Sequence, residues 1–311
     1  MNKMYRNTAP VALFVYNRPE HTRRTLGLLR QDLLACQTDL IIFSDGPKGR
    51  NDQPKVREVR ALLQQVDGFR SVTVREAEGN RGLAKSIVGG VTEVVEKHGR
   101  VIVLEDDLIV SPHFLSYMND ALELYEDVDQ VMHVCGYWYP VECGEVPETF
   151  FLRYPSSWGW GTWKRAWQHF RKDPETMKKS FSKADIQRFN LDGSVNIWEQ
   201  VLHNLNGKAD TWAVFWYASL FRRGGLSLYP SRSLVKNVGM DGSGQHCLKT
   251  RMYENALSSK GVEVVPAALK ENFAVLECLK KFYIKNRMNR LTRFFKVVSS
   301  RVGNYCGCKS S

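Results

Sequence analysis

A chain of 311 residues with 43% hydrophobic content has enough apolar material for one large α/β domain or two small ones, and it reads as globular. No run of about 18 uncharged apolar residues occurs, and the opening "MNKMYRNTAP" lacks the apolar stretch of a signal peptide, so the expectation is a cytoplasmic protein with no membrane span. The net charge of +11 suits a polyanionic partner, yet no acidic residue follows Glu277 while nine Lys and Arg do, so much of the excess belongs to the tail.

The first half alternates strands and helices. "VALFVYN" (11 to 17) reads as a buried strand, "TLGLLRQDLLA" has helical spacing, and "DLIIFSDG" (39 to 46) is a second strand ending in a turn. "VREVRALLQQV" is helical, "SVTVREA" a short strand, "LAKSIVGGVTEVVEKHG" a helix stopped by Gly99, and "RVIVLEDD" the fourth strand. This alternation predicts a mainly parallel sheet flanked by helices, with ligands gathering beyond the carboxyl ends of its strands. The segments "YNRP", "SDG" and "EDD" all fall there.

Beyond residue 130 the alternation fades into "VCGYWYP" and "RYPSSWGWGTWKRAW". A helix from Trp163 would bury Trp163 and Trp167 on one face. "SSWGWG" suits a loop presenting Trp158 or Trp160 to the flat apolar face of a sugar ring, or else simple packing. The seven cysteines are scattered, with only Cys306 and Cys308 close together, which argues for reduced thiols and against a zinc site.

The run "VIVLEDDLI" (101 to 109) places Glu105, Asp106 and Asp107 after four apolar strand residues. Adjacent carboxylates repel one another and resist burial. At the ligand edge of a sheet they can reach a hard divalent cation, Mg2+ or Mn2+, bridging a diphosphate. The alternative role, capping the helix of "SPHFLSYMNDALELY", falls more naturally to Ser111 with Pro112 at the first position.

"VIVLEDDLIVSPHFLSYM" resembles the metal-binding segment of GT-A glycosyltransferases, most closely that of the N-acetylglucosaminyltransferase that initiates complex N-glycan branching. "VYNRPEHTRRTLGLL", "FSDG", "VCGYW", "FLRYPSSWGWGTWKRAW" and "DTWAVFW" follow in that family's order, so the resemblance covers roughly residues 9 to 246. It implies a GT-A, Rossmann-like catalytic domain over 1 to 255, with a nucleotide-sugar half (1 to 130) and an acceptor half (131 to 255). Residues 256 to 311 remain as a basic amphipathic helical tail.

The resemblance also implies roles. Asp107 would be the direct metal ligand, with Glu105 and Asp106 holding the ribose and the metal's waters. Arg18 and Asp45 would seat the nucleotide, and Arg81 or Lys85 would pair with the diphosphate unless they are solvated charges. Inverting transfer needs a base. Asp210 in "KADTWAVFW" matches the position, although Thr211 stands where the family has a second acid; Asp210 also suits a helix cap, and Glu199 is the reserve. His246, at the end of a glycine-rich loop, would be a further metal or diphosphate contact, or a structural histidine.

In the tail, Ile284, Met288, Leu291, Phe295, Val298 and Val302 line one helical face with basic residues around them. The stretch 278 to 302 therefore reads as a membrane-surface helix facing anionic lipid, with docking onto the catalytic domain as the alternative. No nucleic-acid module accompanies it. Together these expectations describe a metal-dependent inverting glycosyltransferase using a UDP-sugar, UDP-N-acetylglucosamine among the candidates. It would act on a saccharide or lipid-linked saccharide at the inner membrane face, in lipopolysaccharide or capsule assembly. Its rivals are a retaining enzyme of the same fold, a sugar-nucleotide nucleotidyltransferase, and an inactive UDP-sugar-binding protein. The nucleotidyltransferase should carry a glycine-rich, lysine-containing turn where this chain has "YNRPEHT".

Overall fold

The computed structural model describes residues 7–242 and 250–287. In chain order these form β1 (Val11–Val15), α1 (Pro19–Leu29), β2 (Asp39–Ser44), α2 (Gln53–Leu63), β3 (Ser71–Glu76), α3 (Leu83–His98) and β4 (Arg100–Glu105). Then come β5 (Leu108–Val110), α4 (Phe114–Leu124), β6 (Val131–Cys135), β7 (Thr149–Leu152), β8 (Trp160–Trp163) and α5 (Lys164–Trp167). The series continues with α6 (Pro174–Ser180), α7 (Lys183–Phe189), α8 (Trp198–Leu205), α9 (Ala213–Arg223), β9 (Leu226–Pro230) and β10 (Val235–Asn237). A further helix occupies 273–287.

Eight strands form one sheet in the order β3-β2-β1-β4-β8-β6-β9-β7, and β5 pairs with β10 in a separate ribbon. The first four strands of that order run parallel, β8 enters antiparallel between β4 and β6, and β7 closes the far edge antiparallel to β9. The fold is thus mixed α/β with a mainly parallel sheet flanked by helices, as the alternation predicts.

The strand period of two distributes the core. Val11, Leu13, Ile102 and Leu104 face α1, α2 and α4, while Ala12, Phe14, Val101 and Val103 face α3, α5 and α9. Both faces are covered, which is why β1 and β4 read as unbroken apolar runs. Helix α3 ends where expected: Gly99 takes a left-handed φ of 79° and its N–H returns to the Val95 carbonyl at 2.9 Å.

Several expectations are revised. The fourth strand stops at Glu105; Asp106 and Asp107 form a turn, and "LIV" leaves the large sheet to pair with β10. Ser111 does not cap α4, which begins after His113. The buried Asp32 accepts the Leu115 N–H at 2.9 Å from 83 residues away, and the Leu34 N–H, also at 2.9 Å, with its other oxygen. Burial pushes this carboxyl up to about 7. Removing it in Asp32→Ala orphans two buried N–H groups, and chemical denaturation should register a loss of about 1–3 kcal/mol.

The segment beyond 255 shares its core with the strands and helices before it. Val262, Val275, Leu276, Leu279 and Tyr283 are all buried in it, and Glu271 pairs with Arg153 at 2.6 Å. The first part of the tail therefore docks. Of the proposed lipid-facing stripe, Ile284 is 41% exposed, and Met288 to Val302 lie outside the described residues. No helix among the described residues is long and apolar enough to cross a membrane.

Candidate active site

The parallel register sets the edge. Phe14 of β1 lies beside Glu105 of β4, and Val15 beside Ser44 of β2. Asp106 consequently follows at the level of Val15 and Ser44, with Tyr16 and Asp45 one residue beyond, all at the carboxyl ends of three neighbouring strands.

The chain turns a corner between the two sheets at Asp106 and Asp107. Arg18, in the turn before α1, donates from Nη1 to Asp107 Oδ2 at 2.7 Å and lies 3.7 Å from Asp106 Oδ1. Asp106 Oδ2 accepts the Tyr16 N–H at 3.3 Å, and its carbonyl accepts the Thr25 hydroxyl at 2.8 Å. After β10 the chain passes back over this corner: Val238 N–H donates to the Asp107 carbonyl at 2.9 Å. Asp241 then approaches Arg18 (3.9 Å) and His21 (3.3 Å). Gly239 lies so close that a Cβ there would overlap the Asp107 carboxylate. Gly239→Ala should accordingly cost about 1–3 kcal/mol in a denaturation experiment despite its loop position.

This corner is rich in carboxylates. Among the described residues, Glu105, Asp106, Asp107 and Asp241 gather around the Arg18 guanidinium and His21. Desolvation, followed by repulsion from Asp107, raises Glu105 to about 8 and Asp106 to about 7. Among the described residues no group of three or more His, Cys, Asp or Glu side chains forms a metal cage. The corner fits a different kind of site, in which one carboxylate and a ligand's phosphates share a hydrated divalent cation. Arg18, seated on Asp107, is the cationic stand-in.

Beside the corner opens a cavity of about 260 Å³ whose wall begins at Met240, next to Gly239. Trp158, Tyr139, Tyr154, Tyr253, Gln200 and Ser157 contribute to its lining. Helix α9 closes it with Ala213, Val214 and Trp216. The Trp216 indole N–H donates to buried His133 Nδ1 at 3.0 Å, and His133 Nε2 donates to the Ser156 carbonyl at 2.9 Å. Burial lowers His133 to about 3, so it stays neutral and fixes α9 against β6.

The predicted site residues divide. Arg18, Glu105, Asp106 and Asp107 come together, and Trp158 lines the cavity. Trp160 does not: it is 0% exposed in β8, stacked between His133 and Trp212 at ring distances of 5.2 Å each. Gly159, at φ 63°, makes the turn that lets this strand enter the sheet, so the glycines serve strand entry and the indole serves the core.

Asp45 is likewise redirected. Its two oxygens accept the N–H groups of Gly46, Arg81 and Gly82 and the Asn80 amide, at 2.8–3.1 Å. Those four bonds use its acceptor capacity, so it shapes the 79–82 loop instead of reaching a nucleotide. The Arg81 and Lys85 side chains are exposed near the start of α3.

Asp210 is exposed and ion-paired with Lys172. It does not cap α9, which starts three residues later behind Trp212. Glu199 is exposed on α8, 3.8 Å from His203. His246 lies outside the described residues. Sequence reasoning missed Gly239, Asp241, His21 and the tyrosines of the cavity. It also missed Asp52, which accepts from the Tyr16 hydroxyl at 3.0 Å and the Asn17 amide at 2.8 Å.

No protein-family model matches the sequence, and no curated protein matches it. Among solved structures, the fold is similar to a mannosyltransferase from Pyrobaculum calidifontis in complex with GDP-Man and Mn2+. The TM-score is 0.36 at 10% identity, over 72% of this chain and 73% of that one. TarS of S. aureus aligns with TM-score 0.30 at 14% identity, over 45% of this chain and 24% of that one. At such identities and scores these similarities carry no argument, and the functional reading rests on the site.

Proposed function

We propose that the chain is a divalent-metal-dependent glycosyltransferase of the GT-A type. The observation that carries this reading is the cluster of Glu105, Asp106 and Asp107 around Arg18 at the sheet's ligand edge, linked through Gly239 and Met240 to a cavity lined by aromatic rings. The first is what a metal-bound sugar diphosphate calls for, and the second suits a sugar.

Asp107 would hold the cation, with Glu105 and Asp106 on its waters and on the ribose. When bound, the cation neutralises the charge that develops on the leaving diphosphate. Arg18 would turn from Asp107 to the phosphates, a move its long side chain permits without backbone change. Trp158 offers an apolar face for a sugar ring. In the inverting mechanism an acceptor hydroxyl oxygen attacks the anomeric carbon as the bond to the diphosphate oxygen breaks, and Asp210 takes the hydroxyl proton. For that, Asp210 must leave Lys172. A UDP-sugar donor, a lipid-linked saccharide acceptor and contact of the tail's basic residues with anionic lipid complete the proposal and rest on the sequence resemblance and the tail's composition. So does the division into a nucleotide-sugar half and an acceptor half.

The direct test is a screen of UDP- and GDP-sugars for hydrolysis with Mn2+, with and without EDTA. Turnover of one donor that EDTA abolishes is expected. Binding of donors equally well in EDTA, with no turnover in any condition, would overturn the reading in favour of a metal-free binding protein.

A further inference from the structure

The cavity beside the carboxylate corner has one wall that neither the sequence motifs nor the proposed reaction uses. Tyr283, from the helix at 273–287, lines it together with Tyr139 and Tyr154. The Tyr283 hydroxyl lies 3.5 Å from the Tyr154 hydroxyl, and its ring packs edge-on to Tyr139 with centroids 5.9 Å apart. This helix is firmly held. Val275, Leu276 and Leu279 are at most 2% exposed beneath it, and Lys280 reaches Asp192 at 3.2 Å.

Among the described residues no charged side chain lines the cavity, and His133, whose imidazole could otherwise become charged near neutrality, is buried and neutral. Phosphate or nucleotide is therefore a poor occupant. The lining combines ring faces with hydroxyl and amide groups, namely the tyrosines, Ser157 and the exposed Gln200. That mixture matches a molecule with an apolar face and a rim of hydroxyls. The volume of about 260 Å³ restricts it to something near one sugar ring. All lining residues fall between 133 and 283, none on the first four strands or their loops.

We infer that this cavity is a neutral-monosaccharide subsite for the acceptor's terminal sugar, and that Tyr283 makes the C-terminal helix part of that subsite. The word acceptor rests on the glycosyltransferase reading; binding of a neutral sugar ring does not. The helix that begins the basic tail is then a substrate-selecting element.

The test uses the full chain and the methyl glycosides of mannose, glucose, galactose and N-acetylglucosamine, followed by saturation-transfer NMR. Calorimetry of UDP with Mn2+ is run in parallel. At least one glycoside should bind saturably, and Tyr283→Ala and Gln200→Ala should each weaken it about fivefold or more. Tyr283→Phe should retain most of the affinity because the ring remains. UDP binding should be unchanged in all three variants. Gln200 is solvent-exposed, so its replacement leaves the fold intact if Tyr283→Ala does not fold.

Absence of glycoside binding to the unmodified chain, or undiminished binding by whichever of Tyr283→Ala and Gln200→Ala folds, would overturn the subsite. Absence of UDP–Mn2+ binding to the unmodified chain would instead count against the glycosyltransferase reading, leaving the glycoside result to decide the subsite.

Discussion

Asp107→Ala is expected to lower metal-dependent turnover of the sugar nucleotide by about a hundredfold or more, while the protein stays folded. The loss follows from removing the carboxylate that would hold the cation at the diphosphate, an interaction that strengthens as negative charge builds on the leaving group. Folding should survive for a reason visible at the corner. Arg18, deprived of Asp107, still has Asp106 at 3.7 Å and Asp241 at 3.9 Å. The substitution also relieves the repulsion that Asp107 exerts on Glu105 and Asp106. Lost attraction and relieved repulsion oppose one another, so unfolding without metal should shift by no more than about 1 kcal/mol. Steady-state kinetics and thermal denaturation of the same preparation check both halves. A variant that turns over normally would remove Asp107 from the metal role, and one that unfolds would show that the corner is structural.

The second large effect is one of pH. Glu105 and Asp106 titrate near 8 and 7 in the folded chain, against ordinary values of 4.5 and 3.8. A carboxyl whose folded pKa is raised favours folding when protonated. Its stabilisation is complete below about pH 4 and is lost as pH rises through about 7 and 8. In the absence of metal, these two groups should therefore make the protein less stable between pH 5 and about 8.5. Divalent cation acts in the opposite sense, since only ionised carboxylates attract it, and its stabilising effect should grow over the same interval. Apparent Mg2+ affinity should tighten about tenfold for each proton displaced per pH unit below pH 7. Calorimetry in two buffers of different protonation enthalpy counts those protons. Metal affinity independent of pH would mean that the carboxylates are already ionised and that their mutual repulsion is compensated elsewhere.

Legibility in the sequence followed physical rules that differ between the two halves of the sheet. The strands β1 and β4 are buried on both faces and β2 is buried on one face and half-buried on the other, so they stand out as apolar runs, and the carboxylates beyond β4 are conspicuous because nothing else explains them there. β8 gave no such signal: "WGTW" sets two small residues between its indoles, which sends them to opposite faces, and only its antiparallel seat between β4 and β6 shows that Trp160 is core while Trp158, two residues earlier, lines a cavity. Chemistry alone could not separate them.

The corner itself was half visible. Arg18 and the carboxylates lie at strand ends that local pattern can find, whereas Gly239 and Asp241 reach them through the pairing of two three-residue strands, too short to leave a periodicity. Asp32 and Asp45 show the same limit from another side. Each binds backbone N–H groups far along the chain, and a carboxylate occupied in this way looks in sequence like one available for ligand. The cavity's tyrosines, scattered from 139 to 283, converge only through tertiary packing.

The turn at Asp106 and Asp107 has one foot in each sheet, and this bears on how the molecule can be divided. A fragment ending near residue 130 would carry every nucleotide-side motif and would look complete. It would nonetheless expose the apolar edge of β4 that β8 covers and leave β5 without β10, its strand partner among the described residues. Swapping acceptor specificity by grafting the second half of another chain onto such a fragment would for the same reason remake the metal corner each time. On the proposed reading, donor chemistry and acceptor choice would be mechanically joined at this turn, and recombination between the halves should succeed only where the segment around Gly239 travels with "EDD".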